Sequence, residues 1–161
     1  MYITLIAAIG KNGELGKNND LIWHFHEDMK FFREQTMGKP MIMGRKTLES
    51  LPKLLPGRKH LVLSRQNIDM EGIEVFHSKE ELLDYINDSL DEVMVIGGAS
   101  IYNMFIENAD CMLLTEIDEE CPIADVYFPK FDKNDWEERV ISSNESNHIK
   151  YKHIEYKRNK R

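Results

Sequence analysis

The sequence is poor in cysteine. Cys111 and Cys121 are the only two in 161 residues, too few for a disulfide framework, so both read as free thiols of a reducing cytoplasm. Cys111 lies in an apolar run and reads as core. Long hydrophobic runs are lacking as well. No stretch approaches a membrane span, and the opening MYITLIAAIGKNG has no basic region before its short apolar segment, which argues against a signal peptide. Positive charge is in deficit, with 21 Lys and Arg against 28 Asp and Glu and a net charge of −7. That balance argues against general nucleic-acid binding. Repeats and low-complexity tracts are absent. So is G-x-G-x-x-G, and the nearest approach to a phosphate-binding P-loop, GKPMIMGRKT, has the wrong spacing and an apolar middle. Phosphoryl transfer is therefore disfavoured.

What remains is a globular composition, 42% hydrophobic and 30% charged, sized for one domain over residues 1–161. Apolar runs at 2–9, 40–44, 59–64, 73–76, 92–97 and 111–117 read as strands. Helical spacing is read at 26–37, 45–50, 78–89 and 99–109, with Ser78 and Glu81 as a capping box and Ile101, Phe105 and Ile106 facing inward. Residues 10–20 read as a long polar loop, and 51–57 as a proline-punctuated one. The last thirty residues alternate as a hairpin with a solvated basic end. Strands alternating with helices predict an α/β fold, a mainly parallel sheet with helices on both faces and a C-terminal antiparallel hairpin.

Two strand–glycine–helix junctions, MIMGRKT and VIGGASIY, stand where ligands bind in open α/β sheets. Each alone is more often a simple turn than a phosphate cradle. Together with Arg45, Lys46 and the strand-ending LSR, they favour a ligand with several phosphates. A third feature is LIWHFHEDMKFFREQT. Here Phe25, Asp28, Met29 and Phe32 share one helical face, which is expected to point inward. Asp28 is then either an acid–base group or a carboxylate capping the helix start. The pair His24 and His26 lacks further ligands for a metal site, and no metal is expected.

LIAAIGKNGELG, the Trp23…Asp28…Phe32 spacing, MIMGRKTLES, LPGRKHLVLS, VMVIGGASIY, LLTEID, YFP and DW occur in one order along nearly the whole chain. In these segments the chain resembles the bacterial chromosomal dihydrofolate reductase family. The resemblance implies a three-layer sandwich on an eight-stranded sheet. It also implies NADPH-dependent reduction of dihydrofolate to tetrahydrofolate for one-carbon metabolism, in a monomer that binds antifolate inhibitors. Carried over by position, Asp28 would bind the pterin N3/2-amino edge, Thr115 would hydrogen-bond Asp28, and Trp23 would order a water that protonates N5. The backbone of Ile6 would face the pterin. Ala7, Leu21, Met29, Phe32, Leu51, Leu55, Ile96 and Tyr102 would line the substrate. Arg58 would pair with the glutamate α-carboxylate near Lys53.

For NADPH, the resemblance assigns the backbone of Ala8 to the nicotinamide amide. A closing loop would comprise Glu14, Leu15, Gly16, Lys17, Asn18, Asn19 and Asp20. Gly44, Arg45, Lys46 and Thr47 would hold phosphates. Ser64 and Arg65 would take the 2′-phosphate, with Leu63 and His77 among the other cofactor-binding positions. Ile96, a cis Gly97–Gly98 bond, Ala99, Ser100, Ile101, Tyr102 and Met104 would line the pyrophosphate and nicotinamide. Ile22, Ser100 and Leu113 depart from the family's common residues, and His24 and His26 are unusual neighbours of Asp28. Two rivals are a pyrimidine reductase on the same fold and a non-catalytic NADPH-binding module. The joint presence of Trp23, Asp28 and Arg58 favours a folate over both.

Overall fold

The computed structural model describes residues 1–17 and 20–160. Its strands are β1 (Tyr2–Ile9), β2 (Glu14–Lys17), β3 (Asp20–Leu21), β4 (Met41–Gly44), β5 (His60–Leu63), β6 (Ile73–Phe76), β7 (Glu92–Gly97), β8 (Cys111–Ile117), β9 (Val126–Tyr127), β10 (Trp136–Ser146) and β11 (Ile149–Arg158). Its helices are α1 (His26–Thr36), α2 (Arg45–Ser50), α3 (Lys79–Ser89) and α4 (Ala99–Phe105). Eight strands form one sheet in the order β10-β11-β8-β1-β7-β4-β5-β6. From β8 to β6 every pairing is parallel. The terminal hairpin β10–β11 adds antiparallel to β8. The α/β sandwich read from the sequence is the fold observed.

Alternation along the strands fixes what lies on each side of the sheet. Ile3 and Leu5 of β1, Val93 and Val95 of β7 and Met112 and Leu114 of β8 join the main apolar cluster with Leu82, Ile86, Ile101 and Phe105 of α3 and α4. Their neighbours in sequence, Ile6, Met94 and Leu113, face the other way and pack with Phe31 and Phe32 of α1. Met41, Met43 and Val62 extend that second face under α2 and the 51–55 loop.

Three local features differ from the sequence reading. The polar loop 10–20 contains β2 and β3, which form a small sheet with β9. Gly and Asn enrichment hides such short strands. The helix read to 109 stops at Phe105 and tightens into a 3-10 turn over Ile106–Asn108. The Arg158 guanidinium donates there to the carbonyls of Ile106 at 2.5 Å and Ala109 at 2.7 Å, satisfying the ending helix. In the capping box, the Glu81 N–H donates to Ser78 Oγ as expected, but the Glu81 carboxylate accepts from the His77 N–H rather than from Ser78.

Candidate active site

α1 starts without a side-chain cap, with Phe25 at its N-cap position and Glu27 and Asp28 in the first turn. Asp28 therefore does not serve the helix end. Its Oδ1 accepts instead from Thr115 Oγ1 at 2.5 Å, across from β8. The helix is anchored by Phe25, which is buried and stacked on Tyr151 with ring centroids 4.7 Å apart. Burying a phenylalanine contributes roughly 1.5–3 kcal/mol, so an apolar anchor holds the turn that carries the carboxylate. Burial, and then the charges of Asp28 and Glu27, push the Tyr151 phenol above its ordinary pKa. Trp23 packs beside Phe25 and Tyr151. A Cβ on Gly10 would come within 2.5 Å of the Trp23 ring and 2.6 Å of Glu14, so glycine is required where the first strand passes the indole.

The face predicted to point inward is split. Phe25 is buried and Asp28 and Phe32 are half-buried, but Met29 is 62% exposed. Phe32, one helical turn after Asp28, packs against both the cluster of Ile6 and that of Met41, Met43 and Val62, which Leu51 and Leu55 also cover. Tyr102 is almost fully buried and donates to the Ile6 carbonyl at 2.6 Å. That bond ties α4 to β1 under the cleft, and burial raises the phenol's pKa.

Arg58 is half-buried beyond Leu55. Its guanidinium donates to the carbonyl of Pro56 at 3.0 Å and to Thr36 Oγ1 at 3.3 Å. Burial and then the positive charge of Arg33 lower its pKa, yet a guanidinium stays charged. Among the described residues it makes no ion pair, so it presents a cation without a carboxylate partner. Lys53 is exposed. His60, buried beneath the same loop, accepts from the Leu55 N–H at 3.0 Å and contacts the Arg58 carbonyl at 3.0 Å, which sets the loop's course.

The two glycine junctions, far apart in sequence, meet in space. Met43 of β4 pairs with Gly97 of β7, and a Cβ on Gly98 would contact Thr47 Oγ1 at 3.6 Å. The Gly97–Gly98 peptide is cis, as the resemblance implies. Arg45 pairs with Glu49 at 2.7 Å on the surface, and Lys46 and Ser100 are exposed. One strand further along, Ser64 is nearly buried at the end of β5 beside exposed Arg65, and the His77 ring contacts the Ser64 carbonyl at 2.8 Å. Gly44, Ser64 and Gly97–Gly98 stand at the carboxyl ends of the neighbouring parallel strands β4, β5 and β7.

Some side chains assigned to cofactor from the sequence are committed elsewhere. Leu15 and Ile101 are buried in the main core, Met104 and Leu63 pack against it, and Ile96 joins the clusters under α1 and α2. Glu14 is buried, and its carboxylate accepts from the N–H of Asn12 and of Cys121, each at 2.6 Å. Burial alone would raise its pKa. Backbone donors from Cys121, its own residue and Asn12 outweigh burial and hold the value below the ordinary one. Glu14 thus ties the 10–17 segment to the loop after β8 rather than reaching a ligand. Asn18 and Asn19 lie outside the described residues. Among the described residues no cluster fit for a metal ion occurs, and no helix is long and apolar enough to cross a membrane. A recess of about 900 Å³ flanked by Gly13, Glu116, Phe128 and Lys152 lies across the sheet from Asp28.

Two neighbours of the site were not picked out from the sequence. One is Arg33, beside Arg58. The other is His153 of β11, whose Nε2 lies 3.2 Å from Asp28 Oδ1. Its signal was present: Tyr151 and His153 share the inward phase of the last strand.

Comparisons with known proteins agree with this geometry. The family model for dihydrofolate reductase matches residues 2–158. The chain is 40% identical over 137 residues to the dihydrofolate reductase of Haemophilus influenzae, covering 85% of this chain and 84% of that one. It is 36% identical over 162 residues to that of Bacillus subtilis, covering 97% and 94%. To that of Neisseria gonorrhoeae it is 41% identical over 140 residues, covering 86% and 85%. The chain belongs to the dihydrofolate reductase family.

Proposed function

We propose that this member of the dihydrofolate reductase family reduces 7,8-dihydrofolate to 5,6,7,8-tetrahydrofolate with NADPH, supplying one-carbon metabolism. The observation that carries the reading is the Asp28 carboxylate, held by Thr115 in an apolar cleft between α1 and the ends of β1 and β8. A half-buried carboxylate loses part of its hydration and is costly unless it has partners. The pterin's N3/2-amino edge presents the N–H donors that match it. Held there, the ring lies between Phe32, Leu51 and Leu55, and its glutamate tail runs toward Arg58, whose charge lacks an acidic partner among the described residues. Asp28 favours the protonated form of the substrate, while Trp23 orders the water that delivers the proton to N5.

The glycine junctions and the polar residues at these strand ends fit a phosphorylated dinucleotide. NADPH, when bound, supplies the hydride received at C6 of the pterin. Gly44, Gly97 and Gly98 let backbone approach the pyrophosphate closely. Arg45 and Lys46 supply charge, and the exposed Arg45–Glu49 pair, worth at most about 1 kcal/mol, yields readily to a phosphate. Ser64, Arg65 and His77 hold the 2′-phosphate, and the backbone of Ala8 meets the nicotinamide amide.

The test is NADPH oxidation started by adding dihydrofolate to the purified protein. Turnover that depends on both compounds is expected, and none above the dihydrofolate-free rate would overturn the reading. Cofactor choice has its own test. Arg65→Ala should raise KM for NADPH by about tenfold or more, because a charge-assisted contact is worth roughly 1.5–3 kcal/mol, and leave KM for NADH nearly unchanged. Equal losses for both would remove Arg65 from the 2′-phosphate site.

A further inference from the structure

The carboxylate that anchors the proposed substrate is held from two sides. Thr115 reaches Oδ1 from β8, and His153 reaches the same oxygen from β11, the next strand. His153 is 3% exposed. Its ring is clamped flat against Phe31, with centroids 4.0 Å apart and planes within 7°, and it meets Tyr151 edge-on. Nδ1 lies 2.9 Å from Ser142 Oγ, and Ser142 Oγ also accepts from Asn144 Nδ2 at 3.3 Å.

These contacts accommodate one run of donors from Asn144 to Asp28. An ionised carboxylate only accepts, so the ring nitrogen facing Asp28 carries a proton. The amide of Asn144 donates to Ser142, whose hydroxyl proton is then free to point at Nδ1. The imidazole is thereby held with a proton on Nε2, aimed at Asp28. Ser142 reaches this position because the β10–β11 register shifts between Val140 and Ser142. A bulge of this kind redirects a side chain that regular alternation would turn away.

We propose that Asn144, Ser142 and His153 form a positioning relay for Asp28. It fixes Oδ1 from the hairpin side, as Thr115 does from β8, and leaves Oδ2 as the oxygen oriented toward the substrate's N–H donors. His153 is a positioning residue that acts through Asp28 and touches neither substrate nor cofactor. This inference rests on the function proposed above.

The test is a double-mutant cycle on dihydrofolate-dependent NADPH oxidation, with thermal unfolding followed in parallel. His153→Phe keeps the flat ring against Phe31 and removes both polar contacts. It should lower kcat/KM by about tenfold or more, the loss of one hydrogen bond to a charged group. In an Asp28→Asn background the same change should cost less than about twofold, because the partner is already altered. His153→Gln returns an N–H near the position of Nε2 and should restore most of the loss, while Ser142→Ala should give a smaller loss in the same direction. An equal fold-loss in both backgrounds, no loss in His153→Phe, or failure of glutamine to do better than phenylalanine would each overturn the relay. Wild-type turnover in Asp28→Asn alone would instead overturn the function it rests on.

Discussion

On β8 and β11 successive residues alternate between two faces that do opposite jobs. Toward α3 and α4 go Met112, Leu114, Ile154 and Tyr156, which join the main core with Phe105, Phe128 and Trp136. The polar atoms of that face are paired: Tyr156 bonds Glu116, Tyr102 bonds the Ile6 carbonyl and Arg158 lies over the Trp136 ring. Toward α1 go Leu113, Thr115, Tyr151 and His153, and there polar atoms are buried in mid-sheet around Asp28. One face excludes unpaired polarity and supplies stability. The other accepts the cost of a half-buried carboxylate, which the proposed function puts to use as a ligand contact.

Mutations on the two faces should therefore separate folding from turnover. Phe105→Ala, at a fully buried position of the apolar face, should cost about 3–5 kcal/mol of unfolding free energy by urea titration. Turnover per folded molecule should stay near wild type, and a comparable fall in turnover would blur the division. Thr115→Val keeps the shape and removes the hydroxyl bonded to Asp28. About a tenfold loss of kcat/KM is expected from a charge-assisted bond of roughly 1.5–3 kcal/mol, with a much smaller change in stability. A larger effect on unfolding than on turnover would move Thr115 to the structural side.

Glu14 sharpens the comparison at the edge of the cleft, because it holds a loop rather than a ligand. Its folded pKa is lowered. The anchorage is therefore complete above the ordinary glutamate value of 4.5 and is lost as pH falls through the lower folded value. Glu14→Gln removes the charge, and its amide cannot accept the backbone donors from both oxygens. Amide exchange at Asn12 and Cys121 should quicken a few-fold at neutral pH and become less sensitive to acid. Unchanged exchange at both amides would show that the carboxylate does not hold the loop.

Legibility in the sequence followed the same division. The main strands and helices were readable because period-2 and period-3.6 patterns report burial directly. MIMGRKT and VIGGASIY read as two strand–glycine–helix junctions at the carboxyl ends of strands, and the pairing of Met43 with Gly97 supplies their contact. Asp28 read locally was divided between a helix cap and a catalytic group. The bond from Thr115, 87 residues away in the chain, removes the cap, and no local window holds that information. Glu14 is placed in a closing loop by the resemblance alone, and its backbone donors, Asn12 and the distant Cys121, are legible only in the fold. His153 lay unremarked in a hairpin whose alternation placed it inside but could not say what it faced. Short strands β2, β3 and β9 escaped because two to four residues carry too little pattern.

The central claim is that Asp28 is present for chemistry and not for folding. Asp28→Asn should reduce kcat/KM for dihydrofolate at neutral pH by about 10²–10⁴-fold, the usual reach of a positioned acid–base group. Activity should recover partly at low pH, where the substrate arrives protonated, and the unfolding midpoint should stay close to wild type. Full turnover at neutral pH, or a loss no larger than the unfolded fraction explains, would contradict the account.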